Sequence, residues 1–408
     1  MKKHETTLFD KLKQFDMFIL IPAVLLTVYG IIVLSSAVNY MGENNLVTVQ
    51  ILASTIGFFT MVFIALCDYD SLLKKMAIPM FLASCALLIL PIAEDIPNML
   101  HGSFGNNDSW IALPVVGVNL QPAEVVKIIF ILTFGYHLGI LKQGNINTMK
   151  SLAAICVHGG VIMVCVMLEM DLGALISFGL IFAAMCFCAG ISIWYFAAAG
   201  GILVIASPIM WKILNEYQRM RILVGFDPMQ DPEGYGYQVL QSMRAIANGG
   251  ISGSGYANGT ITQSASESTL PARHTDMIFA VLCEDFGFVG AVVYFFLMAV
   301  LIFRILIIAR KNRDNYGMFI CTGVATVFIF QTLENIGMCL GLLPVIGITL
   351  PFISYGGSSI VSLYMCLGAV MSVGVHRKKQ FISERKGYKS ERKGYKNENR
   401  NKMSARRI

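Results

Sequence analysis

Ten apolar runs, each long enough to cross a bilayer, dominate this chain of 408 residues. A spanning helix needs about 20 mostly apolar residues. Runs of that kind fall at about 17–37, 47–67, 76–94, 122–141, 151–168, 172–190, 193–211, 277–308, 317–338 and 356–375. Within lipid every backbone N–H and C=O must find a partner inside the protein, which leaves helices or a closed barrel. Runs of this length predict an all-α polytopic membrane protein with ten transmembrane helices. Composition agrees, with 56% hydrophobic and only 14% charged residues, where soluble domains are roughly a quarter charged. A disordered chain, a collagen-like chain and an ordinary soluble enzyme are thereby excluded. All ten cysteines (Cys67, Cys85, Cys156, Cys165, Cys186, Cys188, Cys283, Cys321, Cys339 and Cys366) lie within or beside apolar runs without CxxC spacing. They read as small hydrophobes and not as a disulfide framework.

Lys and Arg in the short connections fix the expected orientation. Lys2, Lys3, Lys11 and Lys13 precede the first run, Lys74 and Lys75 follow the second, Lys142 and Lys150 the fourth, and Arg310, Lys311 and Arg313 the eighth. Segments 38–46, 95–121 and 339–355 contain neither residue type. Both termini are therefore expected in the cytoplasm. The opening MKKHETTLFDKLKQF enters the first run without a small-residue cleavage site, so it reads as the start of an uncleaved helix. The chain divides into an N-terminal segment (1–16), a transmembrane domain (17–376) and a basic tail (377–408). The net charge of +6 belongs to that tail, where 13 Lys/Arg face 3 Glu for a net +10, leaving −4 on the rest. No nucleic-acid partner is implied by such a distribution. The tail repeats ERKGYKS (384–390) as ERKGYKN (391–397) and is polar enough to be disordered. Its charge suits contact with anionic membrane lipids at the inner leaflet, worth about 1 kcal/mol per basic residue near the surface; a plain topology signal is the other reading.

Two external segments exceed simple connectors, 95–121 and 213–276. The second places Arg219, Arg221, Arg244 and Arg273 outside, against the positive-inside pattern. An anionic ligand on that face would account for them, and so would a solvated loop with internal ion pairs. His274-Thr275-Asp276 stands where this loop enters the eighth run. Thr or Asp there can cap a helix, and a carboxylate there can also serve as a general base. Glu124 and Lys127 share one face at i, i+3 near the outer end of the fourth run, as a structural ion pair or a substrate contact. The segment Gly347–Ser359 is rich in Gly and Ser, which suits close helix packing. No GxxxxGK followed by Ser or Thr is present, nor an HExxH or Cys/His cluster. GISGSGYANG (250–259) has the composition of a glycine-rich phosphate loop but follows no βαβ pattern. Trp110 reads as a residue of the interfacial aromatic belt.

Several long motifs, in order, resemble the SEDS family (shape, elongation, division and sporulation), the RodA/FtsW/SpoVE group. They are SWI (109–111), QPAEVVK (121–127), MDLG (170–173), YQRMRILVGFDPMQDPEGYGYQVLQS (217–242), PARHTDMIFAVLCEDFGFVG (271–290) and NIGMCLGLLPVIGITLPFISYGGSS (335–359). The paired FDP and DPEGYGYQ look most like the RodA branch. The resemblance implies a ten-helix SEDS fold and a peptidoglycan glycosyltransferase that polymerises lipid II on the outer face of the bacterial cytoplasmic membrane. It implies a class B penicillin-binding protein (a transpeptidase) as partner, within an elongation or division complex. Asp276 matches the catalytic Asp of the family's HTD motif. Gln121, Pro122, Glu124 and Lys127 match its cavity-lining QPSE…K motif, and Trp110 its loop tryptophan. This chain departs in having Ala123 for the usual Ser, Ala272 for the usual Glu, which is then either dispensable or replaced by Glu267, and Asn107-Asp108-Ser109 where many members carry Arg or Lys.

Glycan extension needs a weakly acidic sugar hydroxyl to attack an anomeric carbon that carries a lipid diphosphate. A positioned carboxylate as base contributes about a hundredfold or more. The leaving undecaprenyl diphosphate gathers negative charge that cations stabilise. Asp276 suits the first task; Lys127, Arg219, Arg221, Arg244 and Arg273 are candidates for the second, with His274 as a further substrate contact. A divalent cation (Mg or Mn) is a possible aid whose ligands the sequence does not identify. A lipid II flippase or transporter, or a scaffold for the wall synthase, would also account for ten spans. The charged motifs, however, lie outside beside a large loop, whereas the cytoplasmic loops are short.

Overall fold

The computed structural model describes residues 15–39, 44–92, 111–113, 118–263, 269–312 and 315–375. The expected N-terminal segment as far as residue 14, Trp110, Glu267 and the basic tail lie outside the described residues. Ten described helices are long and apolar enough to cross a membrane, one for each run. They are α1 (Met17–Val38), α2 (Asn44–Leu66), α3 (Tyr69–Ile89), α4 (Pro122–Leu141), α5 (Met149–Leu168), α6 (Leu172–Ala189), α7 (Ile193–Ile213), α10 (Ile278–Lys311), α11 (Asn315–Cys339) and α12 (Gly357–Val375). Two shorter helices, α8 (Glu216–Phe226) and α9 (Tyr237–Gly249), organise the long segment after α7. A small antiparallel hairpin, β1 (Ile111–Leu113) with β2 (Val118–Leu120), precedes α4 and pairs Ile111 with Leu120.

The third helix starts at Tyr69 and not near residue 76. Lys74 and Lys75, read from sequence as a connection, belong to its second turn. Lys74 pairs with Asp70 at 2.6 Å, one turn back, and long lysine stems carry their charge out to the surface from within a helix.

Buried helices lie at the centre and lipid-facing ones outside. α10 packs chiefly on α1 and α11, α11 also on α4 and α6, and α4 on α3. α12 is largely buried and is tied to its neighbours by polar pairs. Thr27 Oγ1 and Tyr364 Oη are 2.8 Å apart, Ser362 Oγ donates to Glu124 O at 2.6 Å, and Ser372 Oγ donates to Cys67 O at 2.7 Å. Glycines bring α2 close to α12: a Cβ on Gly57 would meet the Tyr364 ring, and one on Gly368 the Met61 backbone. α7 buries no residue at all. At the end remote from α8 and α9, Asp16 accepts from Phe18 N at 3.1 Å and pairs with Arg304 at 2.6 Å, which joins the start of α1 to α10.

α10 is broken. Gly287 has φ 63° and ψ −161°, outside any helical geometry. The glycine-rich segment 250–255 inserts there and meets the freed backbone groups. Phe288 N and Val289 N donate to Gly250 O and Ile251 O at 2.9 and 3.1 Å. Ser254 N and Gly255 N donate to Glu284 O and Asp285 O at 2.8 and 3.1 Å. An interrupted helix persists at membrane depth only when other protein groups satisfy it in this way. GISGSGYANG is thus a strap for a broken helix, a use its composition did not disclose.

Candidate active site

Asp276 sits in the turn that leads into α10. Thr275 N and Met277 N both donate to Ala272 O, at 3.1 and 3.0 Å. Ala272 adopts φ 52°, in the left-handed region that non-glycine residues rarely occupy. Met277 holds the N-cap position of α10 and no side chain caps it. The Asp276 carboxylate is therefore not spent on capping, one of the two roles its position allows.

Residues 335–356 hold this turn from one side. Asn335 Nδ2 donates to Asp276 O at 2.8 Å and to Ile348 O at 2.7 Å. Ser354 Oγ donates to Thr275 O at 2.7 Å and accepts from Leu350 N at 2.7 Å. Tyr355 N donates to His274 O at 2.9 Å, and the two rings lie 6.1 Å apart. Gln50 on α2 steadies the same segment, donating to Ser354 O and accepting from Gly356 N, each at 3.1 Å.

At the floor of this arrangement is Gly347, with φ 76°. A Cβ on it would lie 3.5 Å from Asp276 Oδ2 and 3.8 Å from Arg221 Nη2, so carboxylate and guanidinium converge on one glycine. Arg221 is delivered by α8. That helix starts with a capping box, in which Gln218 N donates to Asn215 Oδ1 at 2.8 Å and Asn215 N to Gln218 Oε1 at 3.3 Å. It docks through Gly225, where any side chain would collide with Pro344. The Tyr217 ring lies 5.1 Å beneath the guanidinium.

A second polar group adjoins the first. Asp171 caps α6, accepting from Ala174 N at 2.9 Å and from Gln121 Nε2 at 3.0 Å. Lys127 Nζ pairs with Glu124 Oε1 at 2.6 Å, both side chains largely buried. Gln121 N donates to Ser358 Oγ at 3.1 Å, which ties α4 to the start of α12. Burial pushes the Asp276 carboxyl above the ordinary carboxylate range; Arg221 pulls it back and Asp171 pushes it further up. Burial also raises Asp171, opposed by the Ala174 amide and Lys127. Glu169, in the turn between α5 and α6, is pushed up to about 8 by burial, with Asp171 adding to the effect. The site therefore holds a carboxylate of raised basicity beside a fixed cation, the combination a proton-accepting step at an anionic centre requires.

The four loop arginines fare differently. Only Arg221 stands beside Asp276. Arg219 donates to Lys212 O at 2.7 Å. Arg273 is buried, and its guanidinium donates to Thr262 O. Arg244 is exposed on α9. Among the described residues no group of three or more His, Cys, Asp or Glu side chains converges as a metal site. The donor set alone thus does not form a metal centre, and Arg221 supplies the positive charge at Asp276. Sequence reasoning gave no role to Asn335 or Gln50 and read Ser354 only as part of a Gly/Ser packing segment. Polar residues within spanning runs are the signal that could have marked Gln50 and Asn335.

Residues 16–379 match the family described as Cell cycle protein, FtsW/RodA/SpoVE. A "Probable peptidoglycan glycosyltransferase FtsW" of Geobacter sp. (strain M18) is 31% identical over 90% of this chain and 99% of its own length. The peptidoglycan glycosyltransferase MrdB of Escherichia coli (strain K12) is 36% identical over 66% of this chain and 71% of its own. Among solved structures, a chain of a peptidoglycan synthase complex superposes with a TM-score of 0.75 at 25% identity, covering 89% of this chain and 98% of that one. The rod shape determining protein RodA of Thermus thermophilus shares the fold, with a TM-score of 0.65 at 22% identity over 89% and 97%. FtsW and RodA/MrdB relatives match about equally, so the leaning toward RodA drawn from FDP and DPEGYGYQ is not sustained. With the family matched over nearly the whole spanning domain, this chain belongs to the FtsW/RodA/SpoVE (SEDS) family and is a multi-pass membrane peptidoglycan glycosyltransferase.

Proposed function

We propose that the chain polymerises lipid II into glycan strands at the outer face of the cytoplasmic membrane, with Asp276 as general base. The convergence of Asp276 Oδ2 and Arg221 Nη2 on Gly347 carries this reading. In the transfer step a sugar hydroxyl of the acceptor attacks the anomeric carbon of the donor. Its proton passes to Asp276 as the new C–O bond forms. The bond from that carbon to the undecaprenyl diphosphate breaks, and the diphosphate leaves with its electron pair. Arg221 offers the leaving group a guanidinium suited to two phosphate oxygens at once. Displacement of an α-linked diphosphate gives a β-linked strand, so one inversion suffices and no covalent enzyme intermediate is needed. Lys127, Glu124, Gln121 and Asp171 form the adjoining polar wall, and His274 a further sugar contact.

The outward orientation rests on the Lys/Arg distribution, which also puts both termini in the cytoplasm. A class B penicillin-binding protein fits as partner, because glycan strands need crosslinking as they form. The related solved chain comes from a complex in which polymerization and crosslinking are coordinated. Whether the chain serves elongation, division or sporulation follows from that partner.

The test is purified protein with its transpeptidase partner and labelled lipid II. Wild type is expected to form polymer, and Asp276→Asn to form none while expressing and binding the partner normally. Polymerisation by Asp276→Asn at near wild-type rate would remove Asp276 from the chemistry. Transfer of lipid II across liposomes without polymer would establish the flippase reading instead.

A further inference from the structure

The clamps from Asn335, Ser354 and Tyr355 hold the Asp276 turn on one side only. On the other side the turn is reached through a buried carboxylate that the transfer step does not use. Glu284 lies on the first half of α10 and is 0% exposed. Its Oε1 accepts from Ile261 N at 3.1 Å, Asn248 Nδ2 at 3.3 Å and Thr260 Oγ1 at 3.4 Å, and its Oε2 from Thr262 N at 2.8 Å. Gly259 packs so close that a Cβ there would collide with Oε2. Among the described residues no cation pairs with Glu284. Its oxygens are met by donors alone, an arrangement that suits an acceptor-only carboxylate and that a carboxamide cannot reproduce.

The peptide unit beyond this anchor continues the chain of contacts. Thr262, its N–H fixed by Glu284, accepts at its own carbonyl from the buried guanidinium of Arg273. Arg273 stands three residues before Asp276, in the turn strained at Ala272. Glu284, Thr262 and Arg273 thus form one continuous path from the half-helix before the Gly287 break to the Asp276 turn.

We infer that Glu284 is a positioning residue for glycan transfer, acting through Thr262 and Arg273 to hold the Asp276 carboxylate in register with Arg221; this rests on the reading of Asp276 as base. Losing about 1 Å of register in such a site costs about a hundredfold in rate. Arg221 from α8, Asp171 from the start of α6 and the Cys339 thiol of α11 face Asp276, with His274 and Tyr355 beside it. Of these, Arg221 is the group that pulls Asp276 downward. A turn that drifts from Arg221 therefore moves the acid limb of the kcat–pH profile to higher pH.

The experiment measures kcat, KM for lipid II and the pH profile for Glu284→Gln, Arg273→Lys and the double variant, each purified with the transpeptidase partner. Each single change is expected to lower kcat roughly 10- to 100-fold, to leave KM within about twofold and to raise the acid limb. The double variant is expected to lose little more than the worse single one, since both act on one path. Losses that multiply in the double variant, or an acid limb that stays in place in both single variants, overturn the inference. Glu284→Asp guards against a Gln variant that does not fold: keeping two acceptor oxygens, it should retain more activity than Glu284→Gln, and equal loss in the two also overturns the inference. If Asp276→Asn is inactive while Glu284→Gln keeps wild-type kcat, the relay alone falls; if Asp276→Asn itself is active, the base reading falls first.

Discussion

At the scale of single residues the site turns on one glycine. Gly347 has φ 76° and leaves room for both Asp276 and Arg221. A side chain there costs about 1–2 kcal/mol in the left-handed region, and its Cβ would sit in ordinary contact with the carboxylate, 3.5 Å from Oδ2. Gly347→Ala is expected to lower kcat, as the strained backbone shifts beneath Asp276 and Arg221, and to lower the melting temperature by a few degrees; an equally active and equally stable variant would mean that the site does not depend on that backbone position. Arg221 yields a prediction whose sign can be worked out. As the proposed base, Asp276 would act ionised; burial raises its pKa and Arg221 lowers it, so the rate is expected to fall as pH drops through a value above the ordinary carboxylate range. Arg221→Ala removes the lowering influence, and the acid limb must move to higher pH as the maximal rate drops. A limb that moves down would show that Arg221 does not face Asp276 in the working enzyme. Asp276 stood out in the sequence as a candidate because His274-Thr275-Asp276 matches the family's HTD motif at a loop–helix junction. The choice of Arg221 among the four arginines of 213–276 was not. It depends on Gly225 docking α8 against Pro344, residues more than a hundred positions apart in the chain, and no local pattern encodes such a contact.

At the scale of elements, apolar runs revealed the existence and order of the helices because a bilayer imposes one length on every span. They did not reveal interruptions. Residues 277–308 read as one long span; Glu284 and Asp285 lower the hydropathy just before Gly287, but acidic residues within a span do not by themselves show that the backbone leaves the helix there. What marks the break is the strap at 250–255, a partner that exists only in three dimensions. The two features predict each other's fate. Gly287→Ala puts a Cβ into the Gly253 and Ile251 backbone at a positive φ, with a cost of roughly 2–4 kcal/mol from strain and overpacking together. A lower melting temperature in detergent is expected, along with earlier proteolysis within 250–263, since the strap loses its docking groups when the break closes. An unchanged melting curve would mean that the helix runs on without harm and the strap is incidental. The start of α3 teaches the converse lesson. Two lysines looked like a connection, but a spaced Asp70 lets a helix carry them, so charge marks the membrane boundary more reliably than it marks the end of a helix.

At the scale of the whole molecule, charge and chemistry separate to opposite ends of the bundle. Asp276, Arg221, Gly347, Asp171 and Gln121 gather at the end that carries α8 and α9, while the Asp16–Arg304 pair closes the other. Sequence alone assigned these ends to opposite sides of the membrane, because Lys and Arg crowd the connections of one and avoid the short connections of the other. The arginines of 213–276 run against that rule if their segment is external, and that segment supplies Arg221. A polymerase whose lipid-linked substrate waits in the outer leaflet needs its cation there, whatever the topology signal prefers. The proposed outward orientation of the site can be tested directly. Met229 lies exposed beside α8, and Gly144 lies exposed between α4 and α5. With the exposed Cys156 and Cys188 replaced by alanine, Met229→Cys should react with a membrane-impermeant maleimide in intact cells and Gly144→Cys only after the membrane is opened. The reverse pattern would place Asp276 on the cytoplasmic side, where a glycan strand could not leave for the wall, and the proposed polymerase orientation would fail with it.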